Sequence, residues 1–181
     1  MAERKPFGRI NGVEVQLAVL TNGKYKASIA TYGATLVYYG TDSYNAVLSH
    51  DSAEKYAKDN NFMGMVVGPY ANRIEGASFV LDGKEYRLEK NDNDNNLHSG
   101  SATYAHKIWR ITGQSNTAVT LSLSTPEEGG FPGKHDTEIT YILSEDGILT
   151  LSYKATSTEK CPCALTNHAY FILDDGGARG T

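Results

Sequence analysis

Val13-Glu14-Val15-Gln16-Leu17-Ala18-Val19-Leu20 alternates, and Asn22-Gly23 separates it from Lys24-Tyr25-Lys26-Ala27-Ser28-Ile29. Period-two spacing puts Val13, Val15, Leu17 and Val19 on one face, the pattern of a half-buried strand. Asn-Gly accepts positive φ at both positions, so the two runs form a β-hairpin. Residues 35–39 form a third short strand. Downstream the pattern recurs. Residues 78–81 and 85–88 flank Asp82-Gly83, a second hairpin. Four further strands are expected at 108–112, 119–123, 137–143 and 148–153, the last two joined by Glu145-Asp146-Gly147. The one helix candidate is short, residues 52–58, with Ser52 placed to cap it. Many strands, frequent turns and almost no helix predict an all-β, antiparallel sandwich or barrel.

Composition agrees. The chain has 181 residues, 40% apolar and 21% charged, which suits a globular domain with a real core. Twelve Tyr and 18 Gly favour strands and turns. The 17 basic and 21 acidic side chains nearly cancel, which speaks against a nucleic-acid scaffold. No apolar run approaches the roughly 20 residues of a membrane span, and no leader-like apolar region is visible near Met1. Cys161 and Cys163 are the only cysteines. Two thiols with one residue between them make neither a disulfide framework nor a zinc site. Reduced cysteines in a cytoplasmic protein are expected.

Two long segments break the alternation. Residues 61–76 and 89–106 are rich in Asn, Gly and His, and long loops on a β scaffold are where function concentrates. No phosphate-binding glycine motif is present. Asp92-Asn93-Asp94-Asn95-Asn96 begins like a calcium loop but has Leu97 where the sharp turn needs Gly, and Thr103 where the bidentate Glu belongs. Five histidines occur, at 50, 98, 106, 135 and 168. His50 and His135 lie among loop residues and are expected to face solvent. His98 ends a polar loop in Leu97-His98-Ser99-Gly100. His168 sits in Thr166-Asn167-His168-Ala169-Tyr170-Phe171, between polar and aromatic neighbours. A hydrogen-bonded structural role and a catalytic one both fit each. Asn72-Arg73, after the buried run Met63-Gly64-Met65-Val66-Val67, offers a donor fork beside an amide, which suits a polyhydroxylated ligand or simply a tied-down loop.

The ordered set Asn72-Arg73-Ile74, Phe79-x-Leu81-Asp82-Gly83-x-x-Tyr86-x-Leu88, Asn96-Leu97-His98-Ser99-Gly100, Trp109, Gly130-Phe131-Pro132-Gly133 and Leu165-Thr166-Asn167-His168-Ala169-Tyr170-Phe171 resembles the aldose 1-epimerase (galactose mutarotase) family. The resemblance runs from about residue 10 to 173. It implies an antiparallel β-supersandwich, of which residues 1–181 are expected to be a single partial domain, the first half. It implies interconversion of the α and β anomers of hexoses such as galactose and glucose by acid–base ring opening. No metal or organic cofactor is implied.

Carried over by motif, His168 is the general acid aimed at the ring oxygen, and His98 is the second catalytic histidine, which also holds the sugar. Asn72 and Arg73 bind hydroxyls, and Tyr170 lies near the bound sugar. Trp109 and Phe131 line or support the cleft, with a core role expected for Trp109. Several relatives have Arg at the position of Pro69 and Gly at that of Ser99, the latter a small change. The family's base, a Glu, falls beyond the end of this sequence. A half sandwich leaves an open edge and an uncovered apolar face, so a homo-oligomer or a second chain supplying the other half is expected. Two alternatives stand beside the epimerase: a non-catalytic carbohydrate-binding half-domain, and a related sugar-phosphate epimerase, for which the loops hold few basic residues.

Overall fold

The computed structural model describes residues 2–172. Its strands, in chain order, are β1 (Glu3–Ile10), β2 (Val13–Asn22), β3 (Tyr25–Ala30), β4 (Thr35–Thr41) and β5 (Tyr44–Asn45). The short helix α1 (Ala53–Tyr56) follows, then β6 (Val66–Val67), β7 (Arg73–Ile74), β8 (Ser78–Leu81), β9 (Lys84–Arg87) and β10 (Asn96–Leu97). The remaining strands are β11 (Arg110–Gln114), β12 (Ala118–Thr125), β13 (His135–Leu143), β14 (Leu149–Ser157) and β15 (Thr166–Asn167). Strands β1 to β5 form one sheet and β11 to β14 another, each with sequential neighbours paired antiparallel. Three two-stranded pairs, β6 with β15, β7 with β10 and β8 with β9, lie in the connecting segments. No described helix is long and apolar enough to cross a membrane.

The turns follow the residue chemistry. Asp82 and Gly83 both have positive φ, 51° and 80°, in the turn that joins β8 to β9. Asn11 and Gly12 do the same between β1 and β2. In the β2–β3 hairpin, Asn22 itself stays in the strand, paired with Tyr25, and Gly23 takes the positive φ of 58°. The Asn22 amide donates instead to the Leu143 carbonyl of the other sheet, 3.0 Å away. Helix α1 is a single turn, shorter than expected, and Ser52 caps it by accepting from Lys55 N.

The main core lies between the two sheets. Ala18 and Leu20 of β2 and Ala27 and Ile29 of β3 meet Val119, Leu121, Ile139 and Tyr141 of the second sheet, and Trp109 is buried with them. Burial of β2 is not confined to the expected face, although Val15 on that face is fully buried. Val13 is 53% exposed, while Ala18 and Leu20 are fully buried. Both faces of β2 are covered: its odd face packs Val15 and Leu17 against Tyr56, Ala53 and Phe7 in a second cluster. Alternation of apolar residues does not tell a strand covered on both sides which face is deeper.

Two further expectations need correction, and one strand lies outside those expected. Strand β1 was unforeseen because it opens on Glu3, Arg4, Lys5 and Pro6; it is an edge strand, where charges and Pro are tolerated. The strand at 108–112 starts two residues later. Ile108 and Trp109 belong to the crossing between sheets, where Trp109 N donates to Thr31 O at 2.7 Å and Ile108 bridges Tyr32. His135 is not solvated: it is buried in β13, with Nε2 on the Pro132 carbonyl at 2.9 Å and Nδ1 on the Tyr104 hydroxyl at 3.0 Å. His50 is half-buried, edge-on to Tyr56 with ring centroids 5.0 Å apart.

Candidate active site

Two of the three two-stranded pairs carry the site, because each runs on into one of the singled-out histidines. Strand β15 pairs Asn167 with Val66 and Thr166 with Val67 of β6. The ladder runs on into His168, whose N donates to Met65 O at 2.8 Å and whose carbonyl accepts from Gly64 N at 3.0 Å. Gly64 is required there: its φ is 69°, and a Cβ would lie 2.4 Å from the Leu36 carbonyl oxygen. The Asn167 side chain fixes this turn from behind. Its Nδ2 donates to Gly64 O at 2.8 Å and to the Tyr141 hydroxyl at 3.2 Å, and its Oδ1 accepts from Ala169 N at 3.0 Å.

The second ladder, β7 with β10, pairs Arg73 with Leu97 and continues into Asn72 opposite His98. Asn72 and His98 bind each other twice. His98 N donates to Asn72 O at 3.0 Å, and Asn72 N donates to His98 Nδ1 at 3.0 Å. Both residues hold left-handed backbone, φ 70° and 53°, which Asn and His tolerate better than most. The polar loop before β10 replaces a strand partner with side chains: Asn91 accepts from Leu97 N at 2.7 Å and donates to Leu97 O at 2.9 Å.

Ser99, expected as a minor change, is buried at φ 67° and bridges Tyr70, donating to its carbonyl and accepting from its N–H, both at 2.9 Å. Phe131, expected near the cleft, is fully buried against Phe79 in a third cluster. Trp109 sits in the main core, its Nε1 donating to Tyr104 O at 3.2 Å.

These two ladders bring His98 and His168 edge to face, ring centroids 5.3 Å apart at 86°. Tyr170 lies beside His168 at 5.2 Å and donates its hydroxyl to Asn61 O at 3.1 Å. Arg73 is more than half exposed and its Nε donates to Asp92 at 2.6 Å; among the described residues no hydrogen bond engages the two terminal nitrogens of its guanidinium. Two residues that sequence reasoning did not assign join the cluster. Phe62 packs on His98 at 4.8 Å and on His168 at 6.1 Å, and His106 stacks on Phe62 at 5.5 Å. Their only trace in the sequence is an aromatic ring inside a polar loop and a histidine just after the apolar run at 104–105.

A backbone N–H only donates, so Nδ1 of His98 is an acceptor and its proton sits on Nε2. His98 is therefore neutral and presents Nε2–H. Burial first, then the charges of His168 and Arg73, hold its pKa below the ordinary 6.5. Burial also lowers His106, opposed by the Asp59 carboxylate. A groove of about 480 Å³ lies elsewhere, between β13, β14 and residues 158–163, floored by Tyr104, His135 and Thr137. It contains none of the residues of the histidine cluster.

Among known families, the aldose 1-epimerase model matches residues 16–179. The chain is 35% identical over 130 residues to the aldose 1-epimerase of Escherichia coli K12, covering 71% of this chain and 38% of that protein. It is 32% identical over 184 residues to the galactose mutarotase of Pongo abelii, covering 98% and 54% respectively. The crystal structure of a galactose 1-epimerase from Lactobacillus acidophilus superposes with a TM-score of 0.85 at 26% identity, over 94% of this chain and 53% of that one. The chain thus spans about half the length of the relatives it matches, and its all-β fold is that part of the antiparallel β-supersandwich of galactose mutarotases. With a family model matched along nearly its whole length, the chain belongs to the aldose 1-epimerase family.

Proposed function

We propose that this chain carries the acid side of an aldose 1-epimerase that interconverts the anomers of free hexoses such as galactose and glucose, and that residues 1–181 are one partial domain of it. The observation that carries this is the edge-to-face pair His98 and His168, in which only one imidazole is free to act as an acid. Nδ1 of His98 is occupied by Asn72 N, so its Nε2–H serves as a fixed hydrogen-bond donor to the sugar. Among the described residues no hydrogen bond ties the ring nitrogens of His168, whose position is set by its backbone on Gly64 and Met65.

Ring opening then runs as follows. His168, as the imidazolium, gives its proton to the ring oxygen while a base removes the proton of the C1 hydroxyl, and the C1–O bond to the ring breaks. The open aldehyde turns about its C1–C2 bond and recloses by the reverse transfers. Well-placed acid–base groups contribute typically about 10²–10⁴-fold each. Asn72 and the free nitrogens of Arg73 grip hydroxyls, and Tyr170 borders the sugar. The carboxylates of the adjoining loops are engaged, Asp92 with Arg73 and Asp59 with the N–H groups of Asn61 and Met63. The base in this reading is a carboxylate from the family's other half. A cytoplasmic location belongs to the same reading, supported by the two free thiols Cys161 and Cys163.

Polarimetry on freshly dissolved α-D-galactose tests it, with the chain alone and with the family's C-terminal half added in trans. The expected result is decay faster than the spontaneous rate when both halves are present, abolished by His168→Ala. No acceleration from the pair of halves would refute the reading. Retained galactose affinity in that case would favour a carbohydrate-binding half-domain.

A further inference from the structure

Phe62 is held in an unusual way. Its φ is 57°, left-handed backbone that a bulky aromatic adopts only when its surroundings impose it. The imposing group is Asp59, which is buried. One oxygen of Asp59 accepts from Asn61 N at 2.9 Å and Asn61 Nδ2 at 3.0 Å, and the other from Met63 N at 3.0 Å. The Phe62 carbonyl accepts from Met65 N at 3.0 Å, and Asn61 O accepts from Tyr170. The loop is thus tied at Asn61 to Tyr170, in the segment that follows β15, and closes on itself in a turn from Phe62 to Met65. On its far side Phe62 lies nearly parallel to His106, 12° between planes, and His106 in turn lies 13° from Tyr32 at 6.5 Å. The result is a stack, Tyr32, His106, Phe62, that ends against the two catalytic imidazoles.

We propose that Phe62, backed by His106, is the positioning residue of this site: the aromatic stack sets the separation of His98 and His168 and keeps water from the flank of His98. The inference rests on the functional reading above. Phe62 packs on both rings, with the Asp59 cap holding its backbone and the Asn72 clamp holding His98. His106 contributes as a flat ring rather than as a proton carrier. The charged groups facing these rings are His168 and Arg73 at His98, with Arg73 partnered by Asp92, and Asp59 and Lys107 at His106, with Lys107 partnered by Glu128.

The test is histidine-ring NMR on the full 181-residue chain, reading tautomer and titration midpoint for His98 and His168. Phe62→Ala is expected to raise the His98 midpoint toward 6.5 and to mix its tautomers, with the His168 signals also shifted. His106→Ala gives a smaller change in the same direction, and His106→Phe restores the parent values. Should Phe62→Ala fail to fold, Phe62→Leu keeps the volume without the planar ring, and an intermediate change is expected. A folded Phe62 variant with unmoved His98 and His168 signals would overturn the proposal, as would His106→Phe behaving like His106→Ala. With both halves present, Phe62→Leu should lower kcat about tenfold with KM within about twofold, since small misplacements of reacting groups are costly. Flat polarimetry alongside these shifts would sink the epimerase reading alone; turnover with unmoved imidazoles would sink the positioning role alone.

Discussion

Strands β13 and β14 match nine consecutive residue pairs, from His135↔Ser157 to Leu143↔Leu149, backbone to backbone. Strands β6 and β15 match two, and so do β7 and β10. In the sheets, then, the main chain satisfies itself and side chains are left to pack. Around the histidines, side chains do the main chain's bonding: Asn91 on Leu97, Asn167 on Gly64, Asp59 on Asn61 and Met63, Ser99 on Tyr70. A ladder of many equivalent bonds resists any single change. A site tied by individual side chains can be re-aimed by one substitution, and that is how a rigid β scaffold comes to carry an adjustable centre.

This contrast can be broken or sharpened by three measurements. The largest effect is expected in the sheet core. Trp109→Ala removes a fully buried ring between the sheets and should cost about 3–5 kcal/mol in urea unfolding. A cost under about 1 kcal/mol would show that the main core does not depend on the crossing between sheets.

Next comes the tie at Ser99. Ser99→Ala removes both bonds to Tyr70 and keeps a Cβ at positive φ, so about 1–3 kcal/mol should be lost. Ser99→Gly loses the same bonds but relieves the left-handed backbone, and should cost about 1 kcal/mol less than the Ala variant. Equal urea midpoints for the two variants would mean that the backbone at Ser99 is not strained.

The smallest effect is in pH dependence. The pKa values of His98 and His106 are lowered on folding, chiefly by burial, so the unfolded chain binds protons first as pH falls. Their contribution to stability is fully present above the unfolded value of about 6.5 and is lost as pH drops through the lower folded values. Urea midpoints measured between pH 7.5 and 5 should fall on the acid side, and less steeply in His106→Phe. A flat profile would place both rings in water.

How much of this was legible in the sequence follows the same division. The hairpins at Asn22-Gly23 and Asp82-Gly83 were legible because those pairs have few other uses between apolar runs. The second sheet was legible because β12 and β13 alternate cleanly, buried on one face. Strand β1 was not, since an edge strand can carry charge and Pro. The deep face of β2 was not, since both its faces are covered. At the site, His98, His168, Asn72, Arg73 and Tyr170 stand in compact motifs, and the structure brings the two histidines together and sets Asn72 under His98. Phe62 and His106 stood in no motif. They reach the cluster only because three separate loops converge, which no local spacing reveals. Ser99 was undervalued because its two bonds go to Tyr70, far away in sequence.

The reciprocal pair of Asn72 and His98 has a consequence for soft metal ions. To chelate zinc or copper, two neighbouring imidazoles must each offer a lone pair. The one on His98 already receives the Asn72 N–H, and its other nitrogen carries hydrogen. An ion seeking both rings has to pull out a backbone hydrogen bond or shift a tautomer first. The clamp therefore disfavours capture of adventitious metal by this pair of histidines.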